Sequence, residues 1–275
     1  MTLLVTGATG TVGRHVVRQL VERGEQVRAV SRNPEKAGLP DGVEVVPGDL
    51  NVPETLQSAL KGVKGIFLIT SSDEPNASLD THSGLIGLAE QAGVQRISIL
   101  VGYEEGQVEQ ALKKSRMEWT LIKPGEFMAN ILADWRGSIR SEGMVREAFG
   151  DAPSARIHEA DIAAVAVTSL LEDGHDKQSY TLTGPQSHSR REAVSIISEG
   201  IGKEIVFEEL TEEQVRQKWR AEGYEEGDID FFVLMGKNPP EVGHTVVSTV
   251  QQVTGHPART LAEWVQEHKQ EFLED

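Results

Sequence analysis

Short unbroken apolar runs alternate with stretches of helical spacing through the first half of the chain, and that alternation sets the expected order of elements. Thr2-Leu3-Leu4-Val5-Thr6 reads as a short buried strand, and the apolar positions 12, 16, 17, 20 and 21 that follow fall on one helical face. Further strands are expected at Gln26–Ser31, Val43–Leu50, Gly65–Thr70, Arg96–Val101 and Trp119–Lys123. The segments between them predict helices from Pro53 to Leu60, from Leu79 to Ala92 and from Val108 to Ser115. Strands that alternate with helices predict an α/β fold with a Rossmann-type, doubly wound parallel sheet.

Beyond Gly125 the pattern changes. Helices are expected from Phe127 to Trp135 and from an Asp161 N-cap through Leu171, with a short strand at Ser179–Thr183. Three capping boxes follow: Ser189 with Glu192, Thr211 with Gln214, and Thr260 with Glu263. Phe231-Phe232-Val233-Leu234-Met235 is apolar enough either to bury itself or to line a pocket with Met128 and Trp135. The expected organisation is a nucleotide-binding domain over residues 1–155 and a smaller, helix-rich substrate lobe over 156–275. The strand near 179–183 returns from that lobe to the sheet.

Charge and composition narrow the function. With 43 acidic and 27 basic residues the chain carries a formal charge of -16, and no Lys/Arg-rich run interrupts it. Nucleic acid and anionic membrane surfaces are therefore poor partners, and a small-molecule substrate is the better expectation. The chain has no cysteine, which removes disulfides, thiolate metal sites and a cysteine nucleophile together. Apolar runs such as Ile66-Phe67-Leu68-Ile69 are too short to span a bilayer. A strand beginning at residue 2 leaves no room for a signal peptide, so a cytoplasmic location is expected. His158, Glu159 and Asp161 lie close together, but the eight histidines show no paired metal spacing and no metal is expected.

The chemistry is concentrated in the turn after the first strand, Gly7-Ala8-Thr9-Gly10-Thr11-Val12-Gly13. Strand, glycine turn and helix in succession form the context in which such a motif cradles a pyrophosphate. Gly7 permits the sharp turn, Gly10 allows close backbone approach, and Gly13 lets the helix pack tightly. The exposed N–H groups and the positive helix end then face the phosphates. At the end of the second strand, where such folds meet the adenosine ribose, stands Arg32. An acidic residue there would accept from a free 2′-hydroxyl, whereas Arg32 suits a 2′-phosphate. NADP(H) is therefore expected over NAD(H). A surface arginine opening a Pro-capped helix at Ser31-Arg32-Asn33-Pro34 is the plainer alternative.

With these residues in place the chain resembles the NmrA-like group of atypical short-chain dehydrogenases/reductases, which includes NAD(P)H-dependent quinone reductases and NADP-sensing regulators. The resemblance is carried by the glycine turn, Ser31 to Lys36, Gly48-Asp49-Leu50 and the run from Trp119 to Asn130. It implies that Asp49 and Leu50 flank the adenine, and that Thr70 and Ser71 pass beneath the ribose and phosphates. It also places Lys123, Pro124 and Phe127 near the nicotinamide. Each has a plainer alternative: Asp49 as a turn residue, Ser71 as a loop hydroxyl, Phe127 as core.

The sequence departs from the short-chain pattern where catalysis matters. Such enzymes commonly use Tyr-x-x-x-Lys, the lysine lowering the tyrosine pKa for proton donation. Here Tyr103 follows the fifth strand, but four positions on stands Gln107, and Glu104 and Glu105 would raise a phenol's pKa. Lys123 stands where the group usually has arginine. Tyr103 and Lys123 are thus only weak catalytic candidates. Two functions compete: an NADPH-dependent reductase of a quinone-like or other electron-poor acceptor, and an NADP(H)-sensing regulator that acts through a protein partner without turnover.

Overall fold

The computed structural model describes residues 1–70, 81–102 and 105–273. The chain separates into two compact units, each assembled from several segments. The first comprises 1–124, 159–182 and 249–256; the second comprises 125–158, 183–248 and 257–275. The first crossing thus falls after Pro124, earlier in the chain than the expected break at 155.

The first unit is built on a seven-stranded sheet. Six strands come in succession: β1 (Thr2–Val5), β2 (Gln26–Ser31), β3 (Glu44–Pro47), β4 (Gly65–Ile69), β5 (Arg96–Leu100) and β6 (Glu118–Pro124). Next in the chain come β7 (Met144–Glu147) and β8 (Pro153–Ser154) of the second unit, and then β9 (Gln178–Leu182), which returns to the sheet beside β6. The sheet order is β3-β2-β1-β4-β5-β6-β9, and every pairing is parallel. β1 pairs on one side with β2 and on the other with β4, so the winding reverses there. In open parallel sheets such a reversal leaves a crevice at the carboxyl ends of the strands.

The crossover helices of this unit are α1 (Gly13–Glu22), α2 (Gly84–Gln91) and α3 (Gln107–Lys114). Next in sequence, α4 (Asn130–Glu142) belongs to the second unit and α5 (Glu159–Leu171) to the first. Leu3, Leu4, Val5 and Phe67 are completely buried, as a strand covered on both faces requires. α5 is buried nearly all round, which its apolar sequence permits, and Gln19 of α1 donates to its Ala160 carbonyl at 2.9 Å. Three expectations need local correction. Pro53–Leu56 forms one 3₁₀ turn instead of a helix to Leu60. α2 is assigned from Gly84, and the expected start at Leu79 lies outside the described residues. α5 opens at Glu159, so Asp161 is a buried acid within the first turn instead of the N-cap, a position the helix dipole favours.

The second unit has its own core, in which Trp135, Ile139, Val145, Ile197, Trp264 and Phe272 pack together. α4 begins at Asn130, not Phe127, and ends at Gly143, whose φ of 65° closes the helix without a Cβ penalty. Two small sheets were not expected: β8 pairs with β10 (His188–Ser189), and β7 pairs in parallel with β11 (Val206–Glu209). Three helices, α6 (Arg190–Ile201), α7 (Glu212–Ala221) and α8 (Glu226–Lys237), make up much of the remainder. The three capping boxes form as expected: Ser189 and Thr211 cap α6 and α7, and Thr260 caps the helix Leu261–Glu267. Met128 and Trp135 are buried in this core and so do not serve as pocket wall. Phe231 is partly exposed, while Phe232 packs edge-on against Trp219 and Tyr224.

Candidate functional site

The crevice at the winding reversal begins with Thr6, which is fully buried. Its hydroxyl donates to the Phe67 carbonyl at 3.1 Å and accepts from the Ile69 N–H at 3.0 Å, locking the end of β1 to β4. Gly7 follows with φ of 58°, and a Cβ there would stand 2.5 Å from the Ile69 side chain. The turn closes when the Gly10 N–H donates to the Gly7 carbonyl at 2.9 Å. Gly13 opens α1 directly against this turn: an added Cβ would lie 2.0 Å from the Gly7 carbonyl oxygen. A backbone atom that close cannot give way, so the helix sits on the turn only because residue 13 has no side chain. No side chain caps α1, whose first amides are left to the turn and to whatever anion it receives. The residues present therefore fit a pyrophosphate.

On the β2 and β3 side of the crevice, Arg32 lies just past the end of β2 with its side chain exposed. The following Pro34–Lys36 segment is a single 3₁₀ turn, not the start of a longer helix. Asp49 accepts from the Asn51 N–H at 2.9 Å through its own carboxylate, and its N–H donates to the Thr55 hydroxyl at 2.9 Å. The Asp49 side chain thus shapes the turn that follows β3, and Leu50 beside it is buried in the core.

Beyond β4 and β5, the Thr70 hydroxyl donates to the Leu100 carbonyl at 3.2 Å, tying the ends of those two strands. Ser71 and Tyr103 lie outside the described residues. Lys123 near the end of β6 donates to Glu105 at 2.7 Å. Glu105 also receives Lys113, and hydrogen bonds from Lys113 first and Lys123 second hold its carboxyl below the usual range. Glu105 is therefore neutralised by lysines, a fate its sequence position did not reveal. Pro124 closes β6, half-buried.

Phe127 belongs to the second unit, where it is half-buried and bridges to Ile157. Next to it Glu126 accepts from Arg156 at 3.0 Å, and the Arg156 guanidinium lies 5.7 Å from the Trp135 ring. On α4 Asp134 presents accessible surface yet is crowded by protein. Burial first, then the charges of Glu147 and Glu126, push its carboxyl up to about 6. His188 is pulled down from its ordinary value by burial. His158 is completely buried and meets Glu267 at 3.3 Å. Among the described residues, no group of three metal-ligating side chains comes together.

A groove of about 1000 Å³ opens at the opposite, N-terminal edge of the sheet, lined by Lys64, Gln95, Arg96 and Glu118 among others. Arg96 in this lining is already paired with Glu118 and Asp173, and the glycine turn lies at the other edge.

A parallel sheet whose winding reverses at a glycine turn is the architecture of a dinucleotide-binding protein. The chain belongs to the NmrA-like group of atypical short-chain dehydrogenases/reductases, and it is an NAD(P)-dependent oxidoreductase. Residues 7–104 match the NAD(P)H-binding family. The chain is 35% identical to the (4-alkanoyl-5-oxo-2,5-dihydrofuran-3-yl)methyl phosphate reductase of Streptomyces griseus, over 98% of this chain and 99% of the relative. It is 34% identical to the NAD(P)H azoreductase of Xenophilus azovorans, over 98% and 99%. The NADPH-dependent quinone oxidoreductase of Escherichia coli, solved with NADPH, superimposes with a TM-score of 0.80 at 28% identity, covering 96% of this chain and 99% of that one. No helix among the described residues is long and apolar enough to cross a membrane.

Proposed function

We propose that this chain is an NADPH-dependent reductase of a quinone-like or other electron-poor small acceptor. The observation that carries the proposal is a complete nucleotide turn, with Arg32 past β2, beside an incomplete proton-donating set, in which Gln107 stands where Tyr103 would need a lysine. Gly7, Gly10 and Gly13 would seat the pyrophosphate, and Arg32 the 2′-phosphate. Asp49 and Leu50 would border the adenine, Thr70 would lie along the ribose, and Pro124 would border the nicotinamide. Thr9, Thr11 and Val12 would contribute through the backbone of the turn. NADPH, when bound, supplies two electrons as hydride.

An electron-poor planar acceptor tolerates a weak acid, because its reduced anion is stable enough for water to protonate. Lys123, paired with Glu105, would be the cation to face negative charge developing on such an acceptor. The acceptors named for the relatives, a 5-oxo-2,5-dihydrofuran, an azo compound and a quinone, are all unsaturated and electron-poor. They support the same class here. The test is to titrate NADPH and NADH, then to follow cofactor oxidation across quinones, azo compounds and unactivated ketones. Turnover confined to the conjugated acceptors is expected. Tight NADPH binding with no turnover on any acceptor would replace the reductase with a cofactor-sensing regulator.

A further inference from the structure

The second unit buries a guanidinium whose donors its own side chains do not fill. Arg156 is the one buried arginine among the described residues, only 4% exposed. Its guanidinium lies over the Trp135 ring, and its Nε donates to Glu126 at 3.0 Å. A guanidinium carries five N–H donors, yet Nη1 is buried without a hydrogen-bond partner. Among the described residues, the other buried side-chain atom of this unit in that position is Nε2 of His188. The two belong together. His188 pairs with Ser154 across β8 and β10, two positions from Arg156, and residues opposite each other on paired strands share a face. Burial first, and the Arg156 charge in addition, hold the imidazole below its ordinary value, so it is neutral at neutral pH. A charge taken out of water needs its remaining protons bonded, and two unfilled donor positions side by side point to an oxyanion from outside the chain.

Glu126 does not exclude such a guest. Arg96, Arg146, Arg191 and Arg216 each hold two carboxylates at once. The least exposed of those four, Arg216, keeps 20% of its side chain accessible, whereas the more deeply buried Arg156 holds a single carboxylate. The Glu126 side chain is half-exposed, so the pair meets solvent on that side. Its backbone is fixed: the Ile157 N–H donates to the Glu126 carbonyl and the Met128 N–H to the Ile157 carbonyl, both at 2.9 Å. A guest that enters past Glu126 therefore needs one side chain to turn and no backbone to move. The other acid near His188, Glu192, is engaged in capping α6. A planar, singly charged carboxylate matches the guanidinium fork, whereas a phosphate dianion would meet twice the repulsion from Glu126.

We propose that Arg156 and His188 form a carboxylate subsite of the second unit, which selects acceptors that carry a carboxylate beside the reducible group. Arg156 supplies the charge and the free donors, and His188 a neutral donor. The proposal rests on the reductase reading, in which the second unit is the substrate lobe.

Three probes test it: a quinone with a carboxymethyl side chain, the methyl ester of that quinone, and the corresponding phosphonate. Their affinities are measured by calorimetry with NADP+ present, and their kcat/KM with NADPH, for wild type, Arg156→Met and Glu126→Gln. Wild type should bind the carboxylate about tenfold or more tighter than the ester, the scale of one charge-assisted contact. Arg156→Met keeps an unbranched side chain over Trp135 but removes the donors, so that preference should vanish. Glu126→Gln removes the competing charge and should tighten the carboxylate alone. No preference in wild type, a preference that survives in Arg156→Met, or tighter binding of the phosphonate than of the carboxylate would each overturn the proposal. Should Arg156→Met fail to fold, Glu126→Gln decides: unchanged carboxylate affinity would overturn the proposal, and a gain confined to the carboxylate would support it. Equal turnover of carboxylate and ester would keep the reductase and remove the subsite. Preferential carboxylate binding without NADPH oxidation would keep the subsite and remove the reductase.

Discussion

The two ends of the sheet's carboxyl edge are built from different materials. At β1 the edge is backbone: Gly7, Gly10 and Gly13 make a tight turn, and contact leaves no room for a side chain at Gly7 or Gly13. At β5 and β6 the edge is side chain: Lys123, Glu105 and Lys113 form a charged cluster that no backbone signature announces. Backbone sites tolerate little change, because a peptide group cannot move aside. A side-chain site can re-pair, so single substitutions there should have smaller effects.

The largest contrast lies within the glycine turn. Gly10→Val places a branched side chain where the pyrophosphate seats, so NADPH affinity should collapse while the thermal midpoint stays close to wild type. Gly13→Val puts its Cβ 2.0 Å from the Gly7 carbonyl oxygen, and overpacking of that kind costs about 1–3 kcal/mol or more. That variant should lose stability along with binding. Parallel melting and binding curves separate the two, and equal stability losses would show that both glycines serve packing alone.

Next in size is Arg32→Ala. A hydrogen bond to a charged group is worth roughly 1.5–3 kcal/mol, which corresponds to about a tenfold to hundredfold loss of NADPH affinity. NADH affinity should barely move. Equal losses would make Arg32 a structural residue. Tyr103→Phe should leave quinone reduction nearly unchanged. General acid catalysis is worth roughly a hundredfold or more, so a fall of that size in kcat would restore Tyr103 as the proton donor.

The same contrast explains what the sequence disclosed. Six parallel strands and the returning strand near residue 180 were legible, because each is an apolar run between helical patterns. The glycine turn was legible because only glycine fits it. The pairing of β7 with β11 was not: each is four residues long, and Met144 meets Val206 from 62 positions away. No local pattern encodes such a partner. The fate of Glu105 depended on two lysines brought to it by α3 and β6, and Asp134 on carboxylates gathered from separate elements of the second unit.

The smallest expected effect belongs to Asp134. Its carboxyl has an ordinary value of 3.8 and stands at about 6 in the fold. Between those values the folded chain holds a proton that the unfolded chain has lost, so stability falls as pH rises through that window. Asp134→Asn should therefore raise the melting temperature at neutral pH and lose its advantage below about pH 4. The gain should stay under about 1 kcal/mol, since the exposed side chain is screened by water. A gain that is the same at both pH values would mean that the amide stabilises through packing and not through charge.

Cofactor oxidation decides whether the turn of Gly7 to Gly13 seats NADPH for turnover. Purified wild type and Gly10→Val are compared for NADPH consumption with a small quinone. Consumption above the buffer background is expected in wild type and its loss in the folded variant. Equal consumption by both proteins, or none by a wild type that binds NADPH tightly, would overturn the proposed function.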